Sequence, residues 1–374
     1  MNRSPLVSSH ALKTLTGAAR APLGDWPGRY PGQRAMGTLC SYVPGEIIHA
    51  AGFTPVRLRG TTAPLRRVDA HLQSFTCALC RSTLDQALGG ELESLRVAGT
   101  VFAHSCDAMQ ALSDLWRMNV EESHFVDTVM QPTSLGSPAA FPYLVAELNR
   151  FRERLAAFAG QSITDGDLQA SIALYDETRR LVGALQGFRD RLSVPEFFAV
   201  LDAAQAMPRE AFNVLSAELL VELESAPVRP DAPGLFLVGA VLDELRLLDL
   251  IEDMGARVVG DDLCSGSRRF YGQVGVEGDP IAALAGYYLR RPPCPTKLHP
   301  AHDPGCHLLD QVRQVRADGV VFALEKFCEP HAFDYALAFP ALDRAGVPHL
   351  LLEMEQTPSL EALRTRLQAF VEML

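Results

Sequence analysis

DGVVFALEKFCEPHAFDY (residues 318–335) is the stretch that decides the fold. Residues 319–324 form a short, uncharged run of β-branched, aliphatic and aromatic side chains, the composition of a strand buried on both faces of a parallel sheet. Cys328 stands four residues beyond that run, and Glu329-Pro330 is a suitable opening turn for a helix. A thiol is therefore expected where a parallel strand ends and a helix begins. Open α/β sheets bind ligands at this edge, and the positive end of a helix dipole favours a thiolate there. The phrase recurs. Residues 97–104 are strand-like and lead to Cys106-Asp107, and residues 257–259 lead through Gly260-Asp261-Asp262-Leu263 to Cys264. Packing alone is a poor explanation for three cysteines at strand tips.

Working outward, strand-like runs at residues 37–43, 54–58, 97–103 and 125–130 alternate with helical ones at 46–51 and 63–89. Short strands alternating with helices imply parallel pairing. The character changes near Pro138. Residues 139–224 show helical periodicity and little strand signal, and three prolines within residues 227–233 mark a linker. Alternation returns with strands at 235–238, 256–259, 319–324 and 349–352 and a closing helix at 359–374. The expected fold is α/β. A loosely ordered leader (1–33) precedes a first α/β domain (34–138), a helical bridge (139–232) and a second α/β domain (233–374).

Composition limits the functional classes. The 374 residues, 48% hydrophobic and 21% charged, suffice for two cored domains. A net charge of −11 argues against a nucleic-acid binder, which presents a basic face. No apolar run approaches the ~18–20 residues needed to span a bilayer. Residues 1–33 hold Arg3, Lys13, Arg20 and Arg29 among small residues, with no apolar block of signal-peptide type. A cytoplasmic protein is expected. Its eight cysteines, at 40, 77, 80, 106, 264, 294, 306 and 328, then point to metal or redox chemistry and away from a disulfide framework. For Cys40, Cys80 and Cys306 a buried small hydrophobe is an equally good account.

Several motifs are present in part or absent. Cys77-Ala78-Leu79-Cys80 lacks the second CxxC or the histidine pair that structural zinc requires, and it lies in a helical run, unlike a thioredoxin pair after a strand. Well-separated cysteines without nearby histidines suit an iron–sulfur cluster held by thiolates. There is no GxxxxGK[ST], so the chain is not expected to hydrolyse ATP, and no GxSxG elbow. Glu46 and His49, three residues apart after a strand tip, suit a general acid/base pair as well as a cap and a surface histidine. His331 and Lys326, flanking Cys328, carry the same two readings.

The stretches CSYVPGEIIHAAGFTPVRL (40–58), CALCRSTLDQALGGEL (77–92), VFAHSCDAMQAL (101–112), GARVVGDDLCSGSRRF (255–270) and KFCEPHAFDY (326–335) resemble the iron–sulfur subunits of the 2-hydroxyacyl-CoA dehydratase and benzoyl-CoA reductase family. The ending GVPHLLLEMEQTPSLEALRTRLQAFVEML (346–374) is similar as well. The likeness runs from about residue 34 to the end and is weakest through the helical middle.

That resemblance implies two Rossmann-like domains with a helical middle region, and one [4Fe–4S] cluster held by three cysteines. Mapped by motif, these are Cys77, Cys106 and Cys328. Cys77 is favoured over Cys80 by its interval to Arg81-Ser82, and Cys264 and Cys294 rank as secondary ligands. It further implies an acyl-CoA substrate, a dimer with a homologous second subunit or with itself, and a separate ATP-hydrolysing iron–sulfur activator that supplies one low-potential electron. A ketyl radical on the thioester would follow, with Glu46 or His49 available to move the proton. Two alternatives stand beside this reading: a double-cubane reductase of small molecules, and a non-catalytic partner subunit of the same family.

Overall fold

The computed structural model describes residues 9–120, 124–242, 245–355 and 359–374. Helices α1 (His10–Arg20) and α2 (Trp26–Arg29) precede β1 (Ala35–Leu39), α3 (Gly45–Ala50), β2 (Thr54–Arg57), α4 (Ala78–Leu88), β3 (Thr100–His104), α5 (Asp107–Asn119) and β4 (Val126–Met130). Four helices follow: α6 (Ala140–Ala159), α7 (Asp165–Leu185), α8 (Val194–Ala206) and α9 (Arg209–Ser225). The chain then forms β5 (Gly234–Gly239), α10 (Arg246–Asp253), β6 (Arg257–Leu263), α11 (Pro280–Arg290), α12 (Pro304–Val315), β7 (Gly319–Glu325), α13 (Glu329–Ala345), β8 (His349–Met354) and α14 (Leu360–Val371).

The strands make two four-stranded parallel sheets, ordered β2-β1-β3-β4 and β6-β5-β7-β8. The α/β expectation with two Rossmann-like halves holds. Strand β7 shows why its sequence is apolar throughout. Val321 and Ala323 join the core beneath α1, α8, α9, α10 and α14. Val320, Phe322 and Leu324 face α12 and α13 on the other side. Burial on both faces removes the alternation that a half-exposed strand would show. The first sheet is covered by α3, α6, α7 and α11 on one face and by α4 and α5 on the other. The four middle helices thus divide between the two sheets.

Three local expectations give way. Residues 9–33 are not a loose leader, although residues 1–8 lie outside the described part. Ser9 caps α1 by accepting the Leu12 N–H at 2.8 Å, and Ala11, Leu12 and Leu15 are buried against α8. The helix expected over residues 63–89 forms only as α4, because Asp85 takes the backbone N–H groups of Arg66, Arg67 and Val68 into an irregular loop. The strand expected at 256–259 runs on to Leu263. Its two aspartates are tolerated because Asp261 pairs with Arg189 and Asp262 with Arg268. Among the described residues no helix is long and apolar enough to cross a membrane.

Candidate functional site

In both sheets the chain leaves the first strand toward one side and returns on the other. The connections at the carboxyl ends of β1 and β3, and of β5 and β7, therefore diverge and leave a crevice. Cys40 follows β1 directly, Cys106 lies just beyond β3, and Cys328 just beyond β7. Cys77, Cys106 and Cys328 are the N-cap residues of α4, α5 and α13. Each thus sits at the positive end of a helix dipole, which favours a thiolate.

The crevices face each other. Cys77, from the first half, accepts hydrogen bonds from the Cys328 thiol of the second half and from Cys80. These two donations, together with the N–H groups of Cys80 and Leu79, hold Cys77 well below the ordinary thiol range despite its burial. Cys80 and Cys328 are raised correspondingly, first by donating to Cys77 and then by burial. Burial pushes Cys106 up to about 11, opposed by the N–H groups of Met109 and Ala108. Cys77, Cys80 and Cys328 thus act directly on one another, and both members of the CxxC belong to the set.

A second group lies beside the first. Cys264 is held well below the ordinary thiol range, first by a hydrogen bond from Cys294 and then, against burial, by Arg268 and His331. The Arg268 Nη1 is 3.6 Å from the Cys264 sulfur. His331 links the groups, with Nδ1 3.4 Å from the Cys328 sulfur and Nε2 3.4 Å from Arg268 Nη1. Cys40, hydrogen-bonded to Ser105 Oγ at 3.5 Å, acts electrostatically on both Cys106 and Cys294. Cys306 is exposed on α12 and belongs to neither group.

Among the described residues no group of three or more His, Cys, Asp or Glu side chains is arranged to hold a lone metal ion. The donors that converge are sulfur from four cysteines of both halves, the set a sulfide-bridged cluster takes, since its ligands bind different iron atoms. On donor chemistry Cys77, Cys106 and Cys328 fit such a group, with Cys80 adjacent.

Glu46 and His49 lie elsewhere. Glu46 is buried against Arg179, whereas His49 is held by Ser171 and Glu210, both at 3.0 Å. Neither forms a hydrogen bond to a thiol in this arrangement. Lys326 is exposed and paired with Glu355 at 2.8 Å. Arg268 and the buried arginines Arg179, Arg209 and Arg291 do not stand out in the sequence. A Ser-Arg-Arg-Phe run beside Cys264 was the one signal present, and an arginine in isolation reads as surface charge.

Residues 40–374 match the sequence profile described as 2-hydroxyglutaryl-CoA dehydratase, D-component. The chain is 28% identical to the lactoyl-CoA dehydratase subunit beta of Anaerotignum propionicum over all of both chains. It is 27% identical to the (R)-phenyllactyl-CoA dehydratase beta subunit of Clostridium sporogenes, covering 92% of each. It is 29% identical to a benzoyl-CoA reductase subunit from Thauera aromatica, covering 93% of this chain and 92% of that one.

Proposed function

The chain belongs to the 2-hydroxyglutaryl-CoA dehydratase D-component family, and on that premise we propose that it is the cluster-bearing subunit of an acyl-CoA dehydratase or reductase. The observation that carries this reading is the meeting of Cys77 and Cys328, from opposite sheets, beside Cys106 and Cys80. Cys77, Cys106 and Cys328 would hold a [4Fe–4S] cluster. When bound, such a cluster supplies single low-potential electrons to the thioester of an acyl-CoA.

The chain's own contribution follows from its geometry. Three helix N-termini favour negatively charged sulfur. Cys80 is buried in the core that carries α4 and α5, which fixes Cys77 and limits water at the crevice. The imidazole of His331 orients Cys328 against the Arg268 guanidinium, and hydrogen bonding of this kind tunes a cluster's potential. The family resemblance implies a separate ATP-hydrolysing activator as the electron source, and the sequence itself has no GxxxxGK[ST] loop. The relatives' names as beta subunits support assembly with a partner subunit.

Iron and acid-labile sulfide measured on anaerobically purified protein test the assignment. About four irons per chain are expected, retained in Cys306→Ala and lost in Cys106→Ala and Cys328→Ala. Comparing Cys77→Ala with Cys80→Ala identifies the ligand within the CxxC. A wild-type chain with no iron would overturn the proposal. The second thiol group favours one further reading, a double-cubane reductase. It requires about eight irons per chain and their partial loss in Cys264→Ala and Cys294→Ala.

A further inference from the structure

Among α3, α7, α9 and α11 lies a cavity of about 30 Å³ lined by four arginines, Arg179, Arg209, Arg269 and Arg291, and by a single carboxylate, Glu46. Ser41, which follows Cys40, and Arg269, which follows Arg268, are also in its lining. The four guanidiniums are not equally satisfied. Arg179 is fully engaged, by Glu46, by Asp176 at 2.7 Å and by the Tyr287 hydroxyl at 3.1 Å. Arg291 donates to the carbonyls of Ser41 and Arg268 at 3.0 and 2.9 Å, yet its buried Nε has no partner. Arg209 is 3% exposed and leaves Nε and Nη1 unpartnered, and Arg269 leaves a buried Nη1 unpartnered.

Counting charges gives four guanidiniums against the carboxylates of Glu46 and Asp176. Taking an unpaired ion out of water is among the most costly events in folding, so buried charge without a counterion calls for a missing partner. Electrostatics point the same way: Arg269 is lowered to about 9, first by burial and then by the neighbouring cations Arg57 and Arg209. Arg209 is lowered as well, first by burial.

We propose that this cavity is a binding site for a carboxylate, received by the unpartnered N–H groups of Arg209, Arg269 and Arg291. A guanidinium fork matches the two oxygens of a carboxylate. The space accommodates a few atoms only, which suits either a free small anion or the tip of a longer carboxylic acid. The site stands on these residues whether or not the cluster reading holds. A carboxylate here would neutralise the unpaired cations of the cavity.

The test uses the full chain, purified anaerobically, and thermal unfolding at constant ionic strength. Acetate is expected to raise the melting temperature saturably, by about 2 °C or more, where equal chloride does not. Arg209→Gln and Arg269→Gln, each checked for a native near-UV spectrum, are expected to lose that increment. Arg269→Lys, which keeps the charge without the fork, is expected to retain a weakened one. Benzoate distinguishes the sources. Its binding assigns the cavity to the tip of a longer acid, and its rejection beside acetate binding assigns it to a free ion. A wild-type chain indifferent to acetate, or an increment unchanged in the folded glutamine variants, would overturn the proposal.

Discussion

Cys40 and Phe327 illustrate what the site asks of individual residues. Among the described residues only four besides glycine take positive φ, and two of these border the thiols: Cys40 at 85° and Phe327 at 65°. A side chain in the left-handed region costs about 1–2 kcal/mol, and such strain persists only where surrounding structure enforces it. At Cys40 it re-aims the chain from β1 into α3 and turns the sulfur toward Ser105. Glycine has no such penalty. Cys40→Gly is therefore expected to be more stable than Cys40→Ala by about 1 kcal/mol in urea unfolding. Equal midpoints would mean that the backbone relaxes when the thiol is lost.

At the level of elements, α4 is the least anticipated and the most consequential. Its N-terminus presents Cys77, and its position depends on Asp85, whose Oδ1 accepts N–H bonds from Arg66 at 2.9 Å, Arg67 at 2.6 Å and Val68 at 2.9 Å. Burial works to raise this carboxyl, but the three donors outweigh it and hold it below the ordinary aspartate value. A depressed folded-state pKa contributes stability that is present above the unfolded value of 3.8 and is lost as pH falls through the folded value. Asp85→Ala leaves three N–H groups without their acceptor and is expected to cost about 1–3 kcal/mol at neutral pH. The same variant should show a shallower decline in melting temperature below about pH 4 than the wild type. An unchanged acid limb would remove Asp85 from the account. The helix start at Ala78 was hidden because Leu65, Val68 and Leu72 are apolar at helical spacing, while the N–H groups of Arg66, Arg67 and Val68 go to the Asp85 carboxylate farther along the chain.

For the molecule as a whole, neither sheet is covered by its own segment alone. One face of the first sheet depends on Leu144, Leu148 and Phe151 of α6, and on Ile281 and Leu284 of α11. The second depends on Leu12 and Leu15 of α1. A fragment of residues 34–138 is therefore expected to lack cooperative unfolding by circular dichroism, because it would expose Met36, Val101 and Val129, which are fully buried in the intact chain. A sharp transition in that fragment would show that the first half is self-sufficient. The sequence alone determined the strands, their parallel pairing and the cysteines at their ends. Those features arise from local composition: apolar runs of strand length, breakers between them, and a thiol at a fixed distance beyond. Only the tertiary structure decided which thiols meet, that Glu46 faces Arg179 and not a sulfur, and that arginines from four separate segments line one cavity. Contacts between residues remote along the chain are set by how the two sheets face each other, and no periodicity or spacing encodes that arrangement.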